Sequence, residues 1–389
     1  MAARVRVRAY IVGFGDCLLV SLPDGTRKRH MLFDFGRAPN DGGSLQRFPA
    51  IARDIQQECA GHLDLLVVTH EHLDHMEGFY RERAVFSQMQ VDQVWMGLPS
   101  EPDYYEKFPK ARLQKRLQTA LAGFADDMRR QGISLHPAFA SLLANNLSNR
   151  DRIAYLRNLG RQTRYLARGA GSTTLDGWGA GIKIHVLAPE QDTSAYYGRS
   201  PNAHALRAAV SKFAGHRDAQ VQGGQDWEFR SVKRAANGDP SGISESDFAK
   251  LRREIQEGGV RAARFIDRAQ NNTSLCLMIE AGGKKLLFPG DAELESWEKI
   301  SEHFGANLGP VDFLKASHHG SRNGTDIALL DALLPKSRAS KATVLVSTKC
   351  NVYGTRNPVP DRALLDELGT RARVVSTDGL DATYVDIEV

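Results

Sequence analysis

The chain has little cysteine. Cys17, Cys59, Cys276 and Cys350 are scattered, with no Cys-x-x-Cys pair. That excludes a disulfide framework and a zinc ribbon. No apolar run approaches the roughly 20 residues that cross a bilayer. No basic, apolar leader opens the chain either. Met-Ala-Ala-Arg-Val-Arg-Val-Arg alternates charged and apolar residues, the pattern of a strand with one solvated face. A cytoplasmic protein without membrane contact is the expectation. Neither sign of charge dominates: 51 Lys+Arg against 46 Asp+Glu leave a net +5. With 42% apolar and 25% charged residues, 389 residues can bury a large core and hold two or three average domains. Histidine is scarce as well, 12 in all, so where it clusters matters.

Residues 67–78 read VVTHEHLDHMEG. His70, His72, Asp74 and His75 fall within six positions, directly after the apolar run Leu63 to Val68. A buried strand ending there would spill these side chains into one loop. Imidazole nitrogen and carboxylate oxygen are the donors that borderline divalent ions prefer, so the cluster reads as a metal site.

His-x-His-x-Asp-His after a hydrophobic strand resembles the signature of the metallo-β-lactamase superfamily. Two landmarks stand in the matching order. Met31-Leu32-Phe33-Asp34-Phe35-Gly36 is a short strand ending in Asp-x-Gly, and Lys285-Leu286-Leu287-Phe288-Pro289-Gly290-Asp291 is a strand ending in Gly-Asp. A narrower resemblance covers both ends of the chain. Val12-Gly13-Phe14-Gly15-Asp16, Asn271-Asn272-Thr273-Ser274-Leu275, Gly290-Asp291-Ala292-Glu293, Lys315-Ala316-Ser317-His318-His319-Gly320 and Asn351-Val352-Tyr353-Gly354 are similar to a subgroup of that superfamily. The subgroup contains the soluble metallo-β-lactamase-like domain of bacterial DNA-uptake channels and the phosphorylcholine esterases.

The resemblance implies an α/β fold, a four-layer αββα sandwich with a metal site at one edge of its two sheets. It also implies roles. His70, His72 and Asp291 would hold one metal; Asp74, His75, His319 and the shared Asp291 would hold the other. Zinc is the first expectation, with manganese also compatible, as one or two ions. Asp34 and Asp16 would stand behind the ligands, Asp74 would orient the nucleophile, and His318 and Lys315 would serve as acid or charge-stabilising donors. Two departures bear on this set. Asn271 lies near the place of a family histidine ligand, and Thr355 and Asn357 lie where another histidine is often found. One ion would therefore be held tightly and a second weakly.

Strand-like runs at 5–36, 63–69, 182–188, 274–291, 310–316 and 343–348 assign the catalytic domain to residues 1–100 and 265–389. Residues 101–264 read as a mainly helical basic insertion with one core strand near 182–188. Leu113, Leu117, Leu121, Phe124 and Met128 recur at helical spacing, as do Leu206, Val210 and Phe213. Residues 219–245 read as a loop. Residues 101–270 hold 27 Lys+Arg and 18 Asp+Glu, so 27 − 18 = +9, against −4 for the remainder. Arg157, Arg161, Arg164 and Arg168 are spaced to share one helix face if the helix runs through Gly160. Such a stripe would neutralise phosphates.

A divalent ion brings the pKa of a bound water from about 15.7 to near 7, which makes hydroxide available at neutral pH. The expected activity is therefore metal-dependent hydrolysis, with a phosphodiester in DNA or RNA as the leading substrate. Acyl or lactone hydrolysis is the second class, because fold alone does not select the bond. A metal-stabilised binding protein without enzymatic activity is the third. The insertion would be a lid, a nucleic-acid surface or a protein-docking surface.

Overall fold

The computed structural model describes residues 4–112, 149–170, 178–196, 263–352 and 358–389, apart from 40, 42–44 and 339, with scattered positions between 114 and 145. The apolar repeats at Leu113–Met128 and Leu206–Phe213, and the loop at 219–245, lie outside the described residues. The fold is mixed α/β, built on two large sheets.

The first sheet contains β1 (Arg6–Tyr10), β2 (Leu18–Asp24), β3 (Arg27–Phe33), β4 (His62–Val68), β5 (Gln90–Gly97), β6 (Gln162–Leu166) and β13 (Tyr384–Glu388), in the order β13-β1-β2-β3-β4-β5-β6. The second contains β7 (Lys183–Ala188), β8 (Cys276–Ala281), β9 (Lys284–Phe288), β10 (Phe313–Lys315), β11 (Ala342–Val346) and β12 (Ala372–Ser376), in the order β12-β11-β10-β9-β8-β7. The two have similar plans. β1-β2-β3 and β7-β8-β9 are antiparallel meanders, and each continues into parallel strands. Last in the chain, β13 returns to pair with β1.

Three apolar clusters hold these parts together. Val7, Val20, Met31, Leu65 and Trp95 of the first sheet pack with Ile184, Leu277, Ile279, Leu286 and Phe313 of the second. The other face of the first sheet presents Leu19, Leu32, Leu66 and Val94 to Ile51 and Ile55 of α1 (Phe48–Glu58) and to Met76 and Phe79 of α2 (Leu73–Arg81). The outer face of the second sheet packs against Trp297 and Ile300 of helix Leu294–Phe304 and Leu364 and Leu368 of helix Arg362–Arg371. Strands buried on both faces read as near-continuous apolar runs, and β4 and β11 do so because helices cover their outer side.

The arginine stripe is corrected by this topology. Helix Arg150–Arg157 stops at Asn158, and Gln162–Leu166 is strand β6, parallel to β5. The edge of β5 has backbone donors and acceptors to satisfy, and Thr163 and Tyr165 favour a strand. Arg157, Arg161, Arg164 and Arg168 therefore lie on a helix end, a connection, a strand and the segment after it. Arg157 bonds the Ser100 carbonyl oxygen. Arg168 makes two 2.6 Å bonds to Glu190. Arg161, 3.6 Å from Asp92, is the exposed one of the four. Among the described residues, no helix is long and apolar enough to cross a membrane.

Candidate metal centre

The site forms where β3, β4, β9 and β10 end on the same side of the two sheets. Asp34 follows β3 with a left-handed backbone, φ 54°, which turns its carboxylate toward the end of β4. Its Oδ1 accepts from the Thr69 backbone N–H at 2.8 Å. Its Oδ2 accepts from Thr69 Oγ1 at 2.7 Å and from His75 Nδ1 at 2.8 Å. The aspartate thus braces both ends of the histidine loop.

Two glycines make room for that loop. A Cβ on Gly36 would lie 2.3 Å from the Asp74 carbonyl carbon, and one on Gly15 would lie 2.7 Å from the Asp74 carbonyl oxygen. The close approach is held by backbone bonds: Asp16 N–H to Asp74 O, Phe35 N–H to His75 O, and Gly78 N–H to Phe35 O. The Gly-x-Gly-Asp and Asp-x-Gly motifs are the seat into which the first turn of α2 presses. This seat is what places Asp74 and His75, both buried, in the cluster.

The second sheet supplies the remaining groups. Asp291 follows β9, and its backbone N–H donates to Ser274 Oγ at 3.0 Å. His318 and His319 follow β10 in a tight turn, both left-handed, at φ 46° and 55°. Non-glycine residues adopt that conformation only where the surroundings enforce it. Here it separates two adjacent imidazoles. His319 is fully buried against the Phe14 ring, 4.3 Å between centroids, whereas the His318 side chain keeps 21% exposure at the mouth.

The hydrogen bonds fix the orientation of four imidazoles. Thr69 Oγ1 has given its proton to Asp34, so it accepts from His70 Nδ1 at 3.1 Å. His72 Nε2 donates to Gln270 Oε1 at 2.9 Å, His75 Nδ1 to Asp34, and His319 Nδ1 to the Ser347 carbonyl at 2.9 Å. In each ring the other nitrogen faces inward. His70 Nε2 and His72 Nδ1 lie 2.9 Å apart, while His75 Nε2 and His319 Nε2 each lie 3.1 Å from Asp291 Oδ2. Outward donors that set the tautomer of ligating histidines are the usual surroundings of a metal site.

Among the described residues, four groups of three ligand atoms at this site lie within 4.8 Å of one another: His70, His75 and Asp291; Asp74, His75 and His319; Asp16, Asp291 and His319; Asp16, Asp34 and His75; a fifth, His62, Asp64 and Asp92, lies apart from it. The buried atoms Asp16 Oδ1, Asp74 Oδ1, His319 Nε2 and Asn271 Oδ1 have no hydrogen-bond partner. Orphaned donors of this kind, gathered in one place, fit a divalent ion. His72 stands beside His70 and falls in none of the four groups.

The charges are strongly coupled. Burial pulls the His75 imidazolium down, but Asp291 and Asp34 outweigh it and hold its pKa well above the ordinary value. His319, opposed by burial in the same way, is raised to about 9 by Asp291 and Asp16. Burial lowers His70, and the neighbouring His75 and His72 lower it further. Burial pushes the Asp74 carboxyl up, but the His319 imidazole, 3.6 Å from its Oδ2, and the charge of His75 win and bring it below the usual range.

Other expected residues are placed differently. Lys315 is buried and turned inward, away from the mouth. Its ammonium has three protons to donate, and Asp291 Oδ1 at 3.1 Å, the Gly290 carbonyl at 3.1 Å and Asp16 take them. In this arrangement all three protons are engaged within the cluster. Asn271 donates to Glu293 Oε1 at 2.8 Å and lies 3.4 Å from His318 Nε2. Two further residues belong to the site without a signal strong enough to single them out in the sequence. Gln270 orients His72, and nothing in its sequence context singles it out. Glu293 is a buried carboxylate 3.4 Å from His318 Nδ1, pushed up to about 8 by burial despite the Asn271 bond. Its place in Gly-Asp-Ala-Glu was the available signal.

No family model matches the chain. Two curated relatives do, over short stretches. Recombination protein 2 of Haemophilus influenzae is 36% identical over 70 residues, 18% of this chain and 8% of that protein. ComE operon protein 3 of Bacillus subtilis is 36% identical over 69 residues, 18% of this chain and 9% of that protein. The chain thus matches less than a tenth of either relative's length.

Proposed function

We propose that this protein is a metal-dependent hydrolase with the metallo-β-lactamase sandwich, acting on phosphodiesters, with nucleic acid as the leading substrate. The observation that carries the reading is the inward convergence of the His70, His75 and His319 imidazole nitrogens on Asp74 and Asp291, with His72 beside His70. Asp74, His75, His319 and Asp291 would hold one divalent ion, and His70 with His72 would offer two nitrogens to a second. A bound ion there supplies Lewis acidity and lowers the pKa of water toward 7. The unpartnered Asp74 Oδ1 is the oxygen free to orient an attacking water. His318, at the mouth beside Glu293, would meet the leaving oxygen.

The substrate class rests on two supports. Residues 101–270 carry a net +9, and one relative bears a recombination name. Bis(p-nitrophenyl) phosphate and labelled oligonucleotides test it directly. Metal-dependent turnover of both is expected. Metal binding with no phosphodiester turnover overturns it. A second reading has an observation of its own. The pocket beside His70 is lined by Glu71, Ser100, Tyr105, Gln114, Gln118 and Gln270, with no Lys or Arg among the described residues. Such a lining suits a neutral acyl or lactone substrate, and a panel of chromogenic esters and lactones would reveal it.

A further inference from the structure

Four carboxylates, Asp16, Asp34, Asp74 and Asp291, are buried within one small volume. Mutual repulsion and lost hydration should drive such a group apart. A metal ion would offset both effects, and a cation of the protein itself already offsets part of them. The Lys315 ammonium lies between Asp16 and Asp291 and bonds both, and its third proton goes to the Gly290 carbonyl. Asp291 is divided by this contact. Oδ1 is taken by the lysine, and Oδ2 alone faces His75 and His319.

We propose that Lys315 is a positioning residue: a resident cation that holds Asp16 and Asp291 in place before metal arrives, and presents Asp291 to the metal through a single oxygen. The proposal rests on the metal-centre reading above and goes beyond it, because it assigns what keeps the cluster assembled before metal binds. The lysine is the metal's rival as well as its stand-in. It lies one carboxylate away from the ion's position and carries the same sign of charge. Its removal therefore has two opposite effects. The metal-free protein loses stability, because two buried carboxylates lose their counter-ion. Metal binding becomes tighter, because a like charge is gone and Asp291 Oδ1 is released. A lysine that served only packing would lower stability and affinity together.

The experiment compares the intact chain with Lys315→Met and with Lys315→Gln, which keeps a polar contact without the charge. Zinc affinity is measured by competition with a chromogenic chelator, and melting temperature with and without zinc. In both variants the metal-free melting temperature should fall and the zinc-induced rise should exceed that of the intact chain. Zinc should bind at least about tenfold tighter, the scale expected when a unit charge a few ångströms away is removed. Unchanged or weaker zinc affinity in both variants overturns the proposal. Failure of both to fold even with zinc also overturns it, since the lysine is then structural. If the intact chain binds no zinc, the metal-centre reading itself falls. If it binds zinc and the variants match it, only the role of Lys315 falls.

Discussion

Metal binding should be strongly coupled to proton release. In the metal-free protein, His75 is held well above its ordinary pKa and His319 at about 9, so both rings are protonated at pH 7. Their Nε2 atoms are the ones aimed at Asp291 Oδ2, where an ion would sit. An ion can bind there only after both protons leave. Asp74 and Asp291 are held below the usual carboxylate range, and His70 below the usual imidazole range, so none of these contributes a proton. About two protons should therefore be released per ion at pH 7. Each proton is worth a factor of ten per pH unit, about 1.4 kcal/mol. Affinity should rise about 100-fold per unit around pH 7, where both rings must give up a proton, and less steeply once pH passes the His319 value of about 9. The sign for folding is opposite. A raised histidine pKa stabilises the folded state fully below its unfolded value, about 6.5, and that stabilisation is lost as pH rises through 9. The metal-free melting temperature should fall between pH 6.5 and 9 while the zinc-induced rise grows. Calorimetry in buffers of different ionisation enthalpy counts the protons. Release of fewer than one at pH 7 would refute the assignment of His75 and His319 as carboxylate-bound imidazolium ions that an ion displaces.

Other outcomes follow from single contacts. His72→Ala with Asp74→Ala should abolish tight metal retention, measured by elemental analysis on protein whose circular dichroism is unchanged; full occupancy would refute the ligand set. Asp34→Asn should weaken zinc binding about ten- to a hundredfold, as loss of a carboxylate behind a ligating histidine does, with His75 as the ring released. Gly36→Ala should destabilise the fold by at least about 3 kcal/mol, because its Cβ would press on the Asp74 backbone at 2.3 Å; a urea denaturation curve within 1 kcal/mol of the parent would contradict that contact. Arg161→Glu with Arg164→Glu should change the log–log salt slope of duplex DNA binding by less than about 0.9, the value of one lost phosphate contact. The two side chains stand on a connection and a strand rather than on one helix face, and a larger change would restore a concerted basic surface.

The sequence by itself determined the local parts of this protein. Apolar runs of strand length marked β4, β8, β9 and β11, because a strand buried on both faces needs no alternation. The spacing of His70, His72, Asp74 and His75 marked the candidate site loop, because residues a few positions apart after a strand must emerge together. The glycines of Gly-x-Gly-Asp and Asp-x-Gly were visible as motifs, but their reason was not. Only the packed chain shows that Gly15 and Gly36 lie under the backbone of Asp74. The tertiary structure alone decided the rest. It ended helix Arg150–Arg157 and turned the next arginines into strand β6, since an open edge of β5 outweighs helical spacing. It joined His72 to Gln270, 198 positions away, and His75 to Asp291, 216 away. It also turned Lys315 inward. Alternation along a strand leaves two faces open to a residue, and what each face meets is set by the neighbouring strand and the loops beyond it. For Lys315 those neighbours are Asp16 and Asp291, two carboxylates that the chain carries 275 residues apart and only folding brings to one ammonium.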